Sequence, residues 1–159
     1  MEKNMIIVLD DIFMANQLDI FRDRVLKGKE DFFLYGEKHI NDFMCSRILE
    51  RANNYIPLES SVGYEYWTQQ NTRPEGKHQD KDEKAFMRGV ERFPMCSIVF
   101  YLTVENLKDG KLVFDNGVEV TPVENRLVIF KKQLEHFVQP FKGSRVSVAV
   151  NPWETKLYK

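Results

Sequence analysis

Only three of the 159 residues are histidine, and one of them stands two positions before an aspartate, in His78-Gln79-Asp80. In extended backbone, residues i and i+2 project from the same face, so an imidazole and a carboxylate at this spacing can reach one cation. Two ligands hold a metal ion poorly, and a third must come from elsewhere in the chain. His39 precedes a helix-patterned segment and reads as a surface or capping residue, whereas His136 lies in a strand-like run towards the C-terminus. Two imidazoles and one carboxylate on one face, with other coordination positions open, are the usual ligand set of non-haem Fe(II) oxygenases. An H-x-D pair is common by chance, so His78, Asp80 and His136 need support from a second spacing.

Arg145, nine residues after His136, supplies it. Around it Val146, Val148 and Val150 alternate with Arg145, Ser147 and Ala149, which puts Arg145 and Ser147 on one strand face and the valines on the other. An arginine on the inner face of a small barrel is costly without an anion. A dicarboxylate is a suitable anion, because guanidinium pairs with carboxylate in two-pronged geometry. The alternative reading is a surface arginine on the outer face of the barrel.

Residues so far apart in sequence need a frame, and the hydrophobic pattern predicts a helical front and a strand-rich back. Met5 to Leu9 suits a short strand, followed by Asp10 and Asp11 as candidate caps for a helix that runs through Ile12, Phe13, Leu18, Phe21, Val25 and Leu26 and stops at Gly28. Ile40, Phe43, Met44, Ile48 and Ala52 predict a second helix, with Asn41 or Asp42 at its start. From residue 62 onward the period becomes that of strands, over Val62 to Thr68, Met95 to Val104, Lys111 to Phe114, Val118 to Thr121, Arg126 to Lys131, Glu135 to Pro140 and Arg145 to Val150. Asp115-Asn116-Gly117 predicts a tight hairpin. Seven short strands with turn chemistry between them suggest a β-sandwich or a jelly-roll barrel with helices packed outside. The expectation is one domain over residues 1–159, with a helical buttress over 1–60 and a β-barrel core over 61–153. The stretch from Gln69 to Phe93 has no clean period, and loops of that length in a compact domain are usually functional or mobile.

Lys and Arg total 23 against 24 for Asp and Glu, a net charge of -1, which offers no broad attraction for nucleic acid or an anionic membrane. The N-terminal apolar run is five residues long, and no stretch approaches the roughly 18 apolar residues of a membrane span. Cys45 and Cys96 lie in apolar-patterned segments and read as reduced packing residues, with a disulfide as the weaker alternative. A cytoplasmic location is the expectation; the oligomeric state is open.

H-Q-D, the later E-H-F-V-Q-P-F and the ending G-S-R-V-S-V-A-V-N-P-W together resemble a 2-oxoglutarate/Fe(II)-dependent oxygenase of the prolyl-4-hydroxylase-like group, over roughly residues 62–153. The resemblance implies a double-stranded β-helix, in the jelly-roll or cupin-like class. It implies Fe(II) on His78, Asp80 and His136, with Arg145 binding the distal carboxylate of 2-oxoglutarate. Tyr101, in Ser-Ile-Val-Phe-Tyr-Leu, matches a position that often bonds the same carboxylate, and Ser147 is a plausible neighbour. The implied cosubstrates are 2-oxoglutarate and O2, with room for ascorbate as reductant, and the implied products are succinate, CO2 and a hydroxylated C–H bond. Relatives that halogenate carry a small residue at the carboxylate position, so Asp80 favours hydroxylation.

The substrate is less defined. Tyr66 and Trp67 project to opposite faces of one strand, and whichever faces inward lines the pocket, as does Gln69; ordinary barrel core is the competing reading. Asn71 to Arg92 could form a lid that carries Arg73, Lys77 and Arg88, or a solvated charged loop, and Asn151 and Trp153 are placed to close the pocket mouth. The leading expectation is a peptidyl residue such as proline. A free amino acid or other small metabolite is the alternative, and a non-catalytic jelly-roll binding module is the reading from another class. Nucleic-acid oxidation is disfavoured by the balanced charge and the lack of a basic-aromatic stripe.

Overall fold

The computed structural model describes residues 5–70 and 76–157. In chain order the elements are β1 (Ile6–Leu9), α1 (Ala15–Val25), β2 (Asp31–Leu34), α2 (Asp42–Asn53), β3 (Gly63–Gln70), α3 (Glu83–Met87), β4 (Cys96–Asp109), β5 (Leu112–Phe114), β6 (Glu119–Val120), β7 (Arg126–Lys131), β8 (His136–Val138) and β9 (Phe141–Trp153). Six strands form one antiparallel sheet in the order β1-β7-β4-β9-β3-β2, and β6-β5-β8 form a second. An isolated bridge between His78 and His136 adds one more rung beside β8.

Alternation along the strands divides the apolar residues into two cores. Ile98, Phe100 and Leu102 of β4, Leu127 and Ile129 of β7 and Val148 and Val150 of β9 meet Leu18, Phe21 and Val25 of α1 and Met44, Ile48 and Ala52 of α2. The opposite faces of β4 and β7 give Tyr101, Val128 and Phe130, which pack against Leu112, Phe114, Val120 and Val138 of the small sheet. Helices thus cover the outside of the large sheet, and the space between the two sheets is the barrel interior. The expected Asp115-Asn116-Gly117 hairpin is present, with Gly117 at φ 87 and its N–H donating to the Phe114 carbonyl at 2.9 Å.

Several boundaries differ from the sequence expectation, each for a physical reason. Residues 1–60 carry more than helices, because β1 and β2 form the two outer strands of the large sheet. β2 has four residues, DFFL, too few to display a period. Asp10 does not cap α1; its carboxylate takes two bonds from Arg126 at 2.7 and 3.0 Å, and the helix begins after Met14, whose N–H donates to Gln17 Oε1. In α2 the buried stripe runs through Cys45 and Leu49, leaving Ile40 and Phe43 partly exposed. β4 and β9 outrun their expected ends by passing through bulges at Tyr101/Thr103 and Glu105/Lys108. Gly143, at φ 94, sits opposite the second bulge, where a Cβ would lie 2.2 Å from the Asn106 carbonyl oxygen.

Candidate functional site

His78 and His136 stand side by side on adjacent antiparallel segments, both lining the barrel pocket. Their backbones exchange both N–H···O bonds, at 2.9 and 3.0 Å, and their ring centroids lie 4.3 Å apart. Asp80, two residues beyond His78, completes the group: its Oδ1 is 3.5 Å from Nε2 of each histidine. One ligand atom from each of the three residues lies within 4.8 Å of the others. Each Nδ1 is 2.7–2.9 Å from a carbonyl oxygen, Gly76 for His78 and Leu134 for His136. A carbonyl only accepts, so both Nδ1 atoms carry a proton and both rings turn Nε2 inward, towards Asp80 Oδ1. Two imidazole Nε2 atoms and a carboxylate oxygen gathered at one point need a positive charge among them, a proton on a ring or a metal ion in its place. This donor set therefore fits a divalent transition metal.

Asp80 is held ionised. Burial pushes its carboxyl upward, but hydrogen bonds from His136, His78 and Ser97, with the charge of His136, outweigh this and hold it well below the usual carboxylate range. Its second oxygen, Oδ2, accepts from Asn151 Nδ2 at 3.0 Å.

Arg145 lies on the same inner face. The valines of β9 point into the helix-side core, so Arg145, Ser147 and Ala149 point into the barrel, as the alternation predicts. Arg145 is 3% exposed, and among the described residues its Nε and Nη2 have no hydrogen-bond partner. The guanidinium carbon lies 5.1 Å from the Phe141 ring centre and 5.9 Å from that of Tyr101, so aromatic faces rather than a carboxylate surround it. Burial pushes the Tyr101 hydroxyl up to about 12, with Arg145 and Arg126 pulling the other way, so it stays protonated and able to donate. One pocket is lined by Arg145, Tyr101, Ser147 and the three candidate ligands together.

The remaining candidates separate by strand face. Trp67 and Gln69 line that pocket, paired in register with Ala149 and Ser147. Tyr66 does not: it is buried in the helix-side core, where its hydroxyl accepts from Asn41 Nδ2 at 3.1 Å. Asn151 is fully buried behind Asp80 rather than at the pocket mouth. Trp153 is 2% exposed and donates from Nε1 to Glu65 at 3.2 Å, also away from the pocket lining. Arg73 lies outside the described residues. Lys77 is tied to Asp115 at 2.6 Å and Glu135 at 3.3 Å, fastening the segment before His78 to the hairpin and to the approach to His136. The region read as lacking a period contains α3, capped by Asp82. His39 stacks on Phe33 and bonds the Tyr64 hydroxyl, apart from the three candidate ligands.

Two polar residues of the site face went unread in the sequence. Ser97 helps to hold the Asp80 carboxyl down, and Glu65, whose carboxyl burial pushes up to about 7, stands opposite Asn151. A polar residue in register with the inward face of β9 was the available signal for Glu65.

The family model of the 2OG-Fe(II) oxygenase superfamily matches residues 65–153. No curated protein shows significant sequence similarity to the chain. Solved structures similar in fold include a prolyl-4-hydroxylase from Pseudomonas putida, with 17% identity, TM-score 0.67, and coverage of 97% of this chain and 95% of that one. A prolyl hydroxylase from Trichoplax adhaerens, in complex with a hypoxia inducible factor peptide fragment, gives 12% identity, TM-score 0.69, and coverage of 96% and 84%. A viral collagen prolyl hydroxylase from Paramecium Bursaria Chlorella virus-1, in complex with 2OG, gives 13% identity, TM-score 0.64, and coverage of 92% and 94%. The fold they share with this chain is the double-stranded β-helix.

Proposed function

Given that the chain belongs to the 2OG-Fe(II) oxygenase superfamily, we propose that it is a single-domain hydroxylase in which His78, Asp80 and His136 hold Fe(II) and Arg145 anchors 2-oxoglutarate. The observation that carries this reading is the buried guanidinium of Arg145, with two nitrogens lacking partners among the described residues, in one pocket with a cation-demanding donor triad. A buried cation in that state costs stability, and a carboxylate delivered by a cosubstrate relieves it. Held by these residues, Fe(II) with 2-oxoglutarate and O2 would supply the oxidant for an unactivated C–H bond, with succinate and CO2 as the coproducts.

The chain's own residues have distinct tasks. Gly76 and Leu134 carbonyls orient the two imidazoles, and Asp80 contributes the single negative charge of the triad. Arg145 presents paired N–H groups to the distal carboxylate, and the protonated Tyr101 hydroxyl and Ser147 offer further donors along the same wall. Leu112, Val138 and Val99 line the rest of the pocket and keep water away.

For the substrate we propose a peptidyl residue, proline first. The prolyl hydroxylases of matching fold, one of them in complex with a peptide, support that choice. Trp67, on the pocket wall and partly exposed, offers an apolar face to such a ring. The two free, buried cysteines fit a reducing, cytoplasmic setting.

The test is anaerobic loading with Fe(II) and 2-oxoglutarate, followed by O2 and a panel of proline-containing peptides and free amino acids. Succinate release coupled to gain of one oxygen atom on a peptide is the expected result. Oxygen gain only on a free amino acid would replace the peptide reading, and no succinate under any condition would remove the enzymatic one.

A further inference from the structure

We infer that Asn151 is a positioning residue that holds Asp80 as a one-oxygen metal ligand and so preserves the open coordination positions. The inference rests on the assignment of Asp80 as a ligand. Asn151 is completely buried and makes two hydrogen bonds. Its Oδ1 accepts from the Ile98 backbone N–H at 3.0 Å, and its Nδ2 donates to Asp80 Oδ2 at 3.0 Å. The first bond decides the second. A backbone N–H only donates, so the amide oxygen must face Ile98 and the amide nitrogen must face the carboxylate.

The consequence lies in how the carboxylate is split. Oδ2 is engaged by Asn151, while Oδ1 sits 3.5 Å from both imidazole Nε2 atoms. Only Oδ1 is therefore presented to the point the rings address. A six-coordinate ion held by three protein atoms keeps three positions, the number that a two-toothed cosubstrate and O2 require together. A carboxylate free to rotate and bind through both oxygens would take one of them. Asn151 stands on β9 six residues beyond Arg145, on the same face, so one strand carries both the carboxylate clamp and the anion anchor. The fixed strand rise then sets one relative to the other.

The test uses Co(II) as the probe, because its visible absorption reports coordination number without turnover. Asn151→Leu removes the donor while keeping the branched heavy-atom skeleton, and Asn151→Ser is the second variant should the bulkier methyls of the first prevent folding. Both are compared with wild type below their melting temperatures, so that loss of the Ile98 bond is read separately as a lower Tm. The expected result is a roughly 10- to 100-fold weaker Co(II) affinity, in the range found for residues that orient a ligand. An altered Co(II) spectrum before cosubstrate is added and weaker 2-oxoglutarate binding to the Co(II) form should accompany it. A folded variant with wild-type Co(II) affinity and spectrum would overturn the inference. Failure of the underlying assignment looks different: wild type and Asp80→Ala would then bind Co(II) equally.

Discussion

Arg145→Met should stabilise the cosubstrate-free protein while nearly abolishing its response to 2-oxoglutarate. Arg145 is 3% exposed with two nitrogens, Nε and Nη2, lacking partners among the described residues. Each buried, unsatisfied donor costs about 1–3 kcal/mol. Contacts of the guanidinium with the Phe141 and Tyr101 rings offset about 0.5–2 kcal/mol of this. Methionine keeps the unbranched stem and needs no partner, so the variant should gain about 3 kcal/mol, the middle of the range those contributions leave. For a chain of this size that raises Tm by roughly 6–12 °C. With cosubstrate the order reverses. A charged hydrogen bond contributes about 1.5–3 kcal/mol, so losing two weakens binding at least about 100-fold. The assay is thermal unfolding with Mn(II), with and without 2-oxoglutarate at about 100 times the wild-type Kd. Wild type should gain about 2.7 kcal/mol on adding cosubstrate, and the variant almost nothing. If Arg145→Met instead melts well below wild type without cosubstrate, Arg145 is a structural cation with a partner in the protein, and the anchor reading fails.

Three further outcomes follow from the site. His78→Ala and His136→Ala should each release no succinate in the presence of Fe(II) and 2-oxoglutarate; wild-type succinate from either would remove that residue from the ligand set. Trp67→Ala should raise substrate KM with little change in Tm, whereas Tyr66→Phe should leave KM unchanged and lower stability by about 1 kcal/mol through loss of its bond from Asn41; equal effects on KM would contradict the division of β3 into a pocket face and a core face. Glu65→Gln should stabilise the metal-free protein at pH 8 and not at pH 4, as measured by urea unfolding. Burial raises the Glu65 carboxyl from 4.5 to about 7, so the native state holds a proton that the unfolded chain has released. Its stabilising contribution is full below 4.5 and is lost as pH rises through 7, by at most about 3 kcal/mol. Glutamine keeps an oxygen for Trp153 Nε1, and a variant no more stable than wild type at pH 8 would refute the argument.

What the sequence made legible follows from how many faces of an element are buried, and by what. On β9 the two faces differ in kind, valines against helices and polar groups against the pocket, so a period of two exposes Arg145 and Ser147. On β3 both faces carry aromatic side chains: Tyr64 and Tyr66 lie in the helix-side core, while Trp67 lines the pocket. Hydrophobicity therefore could not choose between Tyr66 and Trp67, and only the register with Ala149 does. Asn151 escaped for another reason. A buried asparagine and a pocket-lining one look alike in sequence, and its partners, Ile98 and Asp80, lie 53 and 71 residues away. The early boundaries of α1 failed because Asp10 had a stronger partner in Arg126 than the helix N-terminus could offer.

The two faces of β9 also tie catalytic geometry to the core. Val148 and Val150 are fully buried under the helices, and β9 pairs with β4 on one side and β3 on the other. A one-residue slip in this register would drive Arg145 into the helix-side core and expose the valines to the pocket. That alternative is penalised twice, by burying a cation among apolar side chains and by stranding apolar groups beside the His78, Asp80 and His136 cluster. The bulge at Tyr101/Thr103 shifts the pairing where Tyr101 stands opposite Ser147, so its hydroxyl-bearing ring remains on the pocket wall while β4 continues past it. Packing that excludes the wrong register thus sets which side chains face the pocket. A substitution such as Val148→Ala, on the face of β9 opposite the pocket, should weaken Co(II) and 2-oxoglutarate binding together in a titration of the two, because Asn151 and Arg145 project from the strand that this valine holds in place.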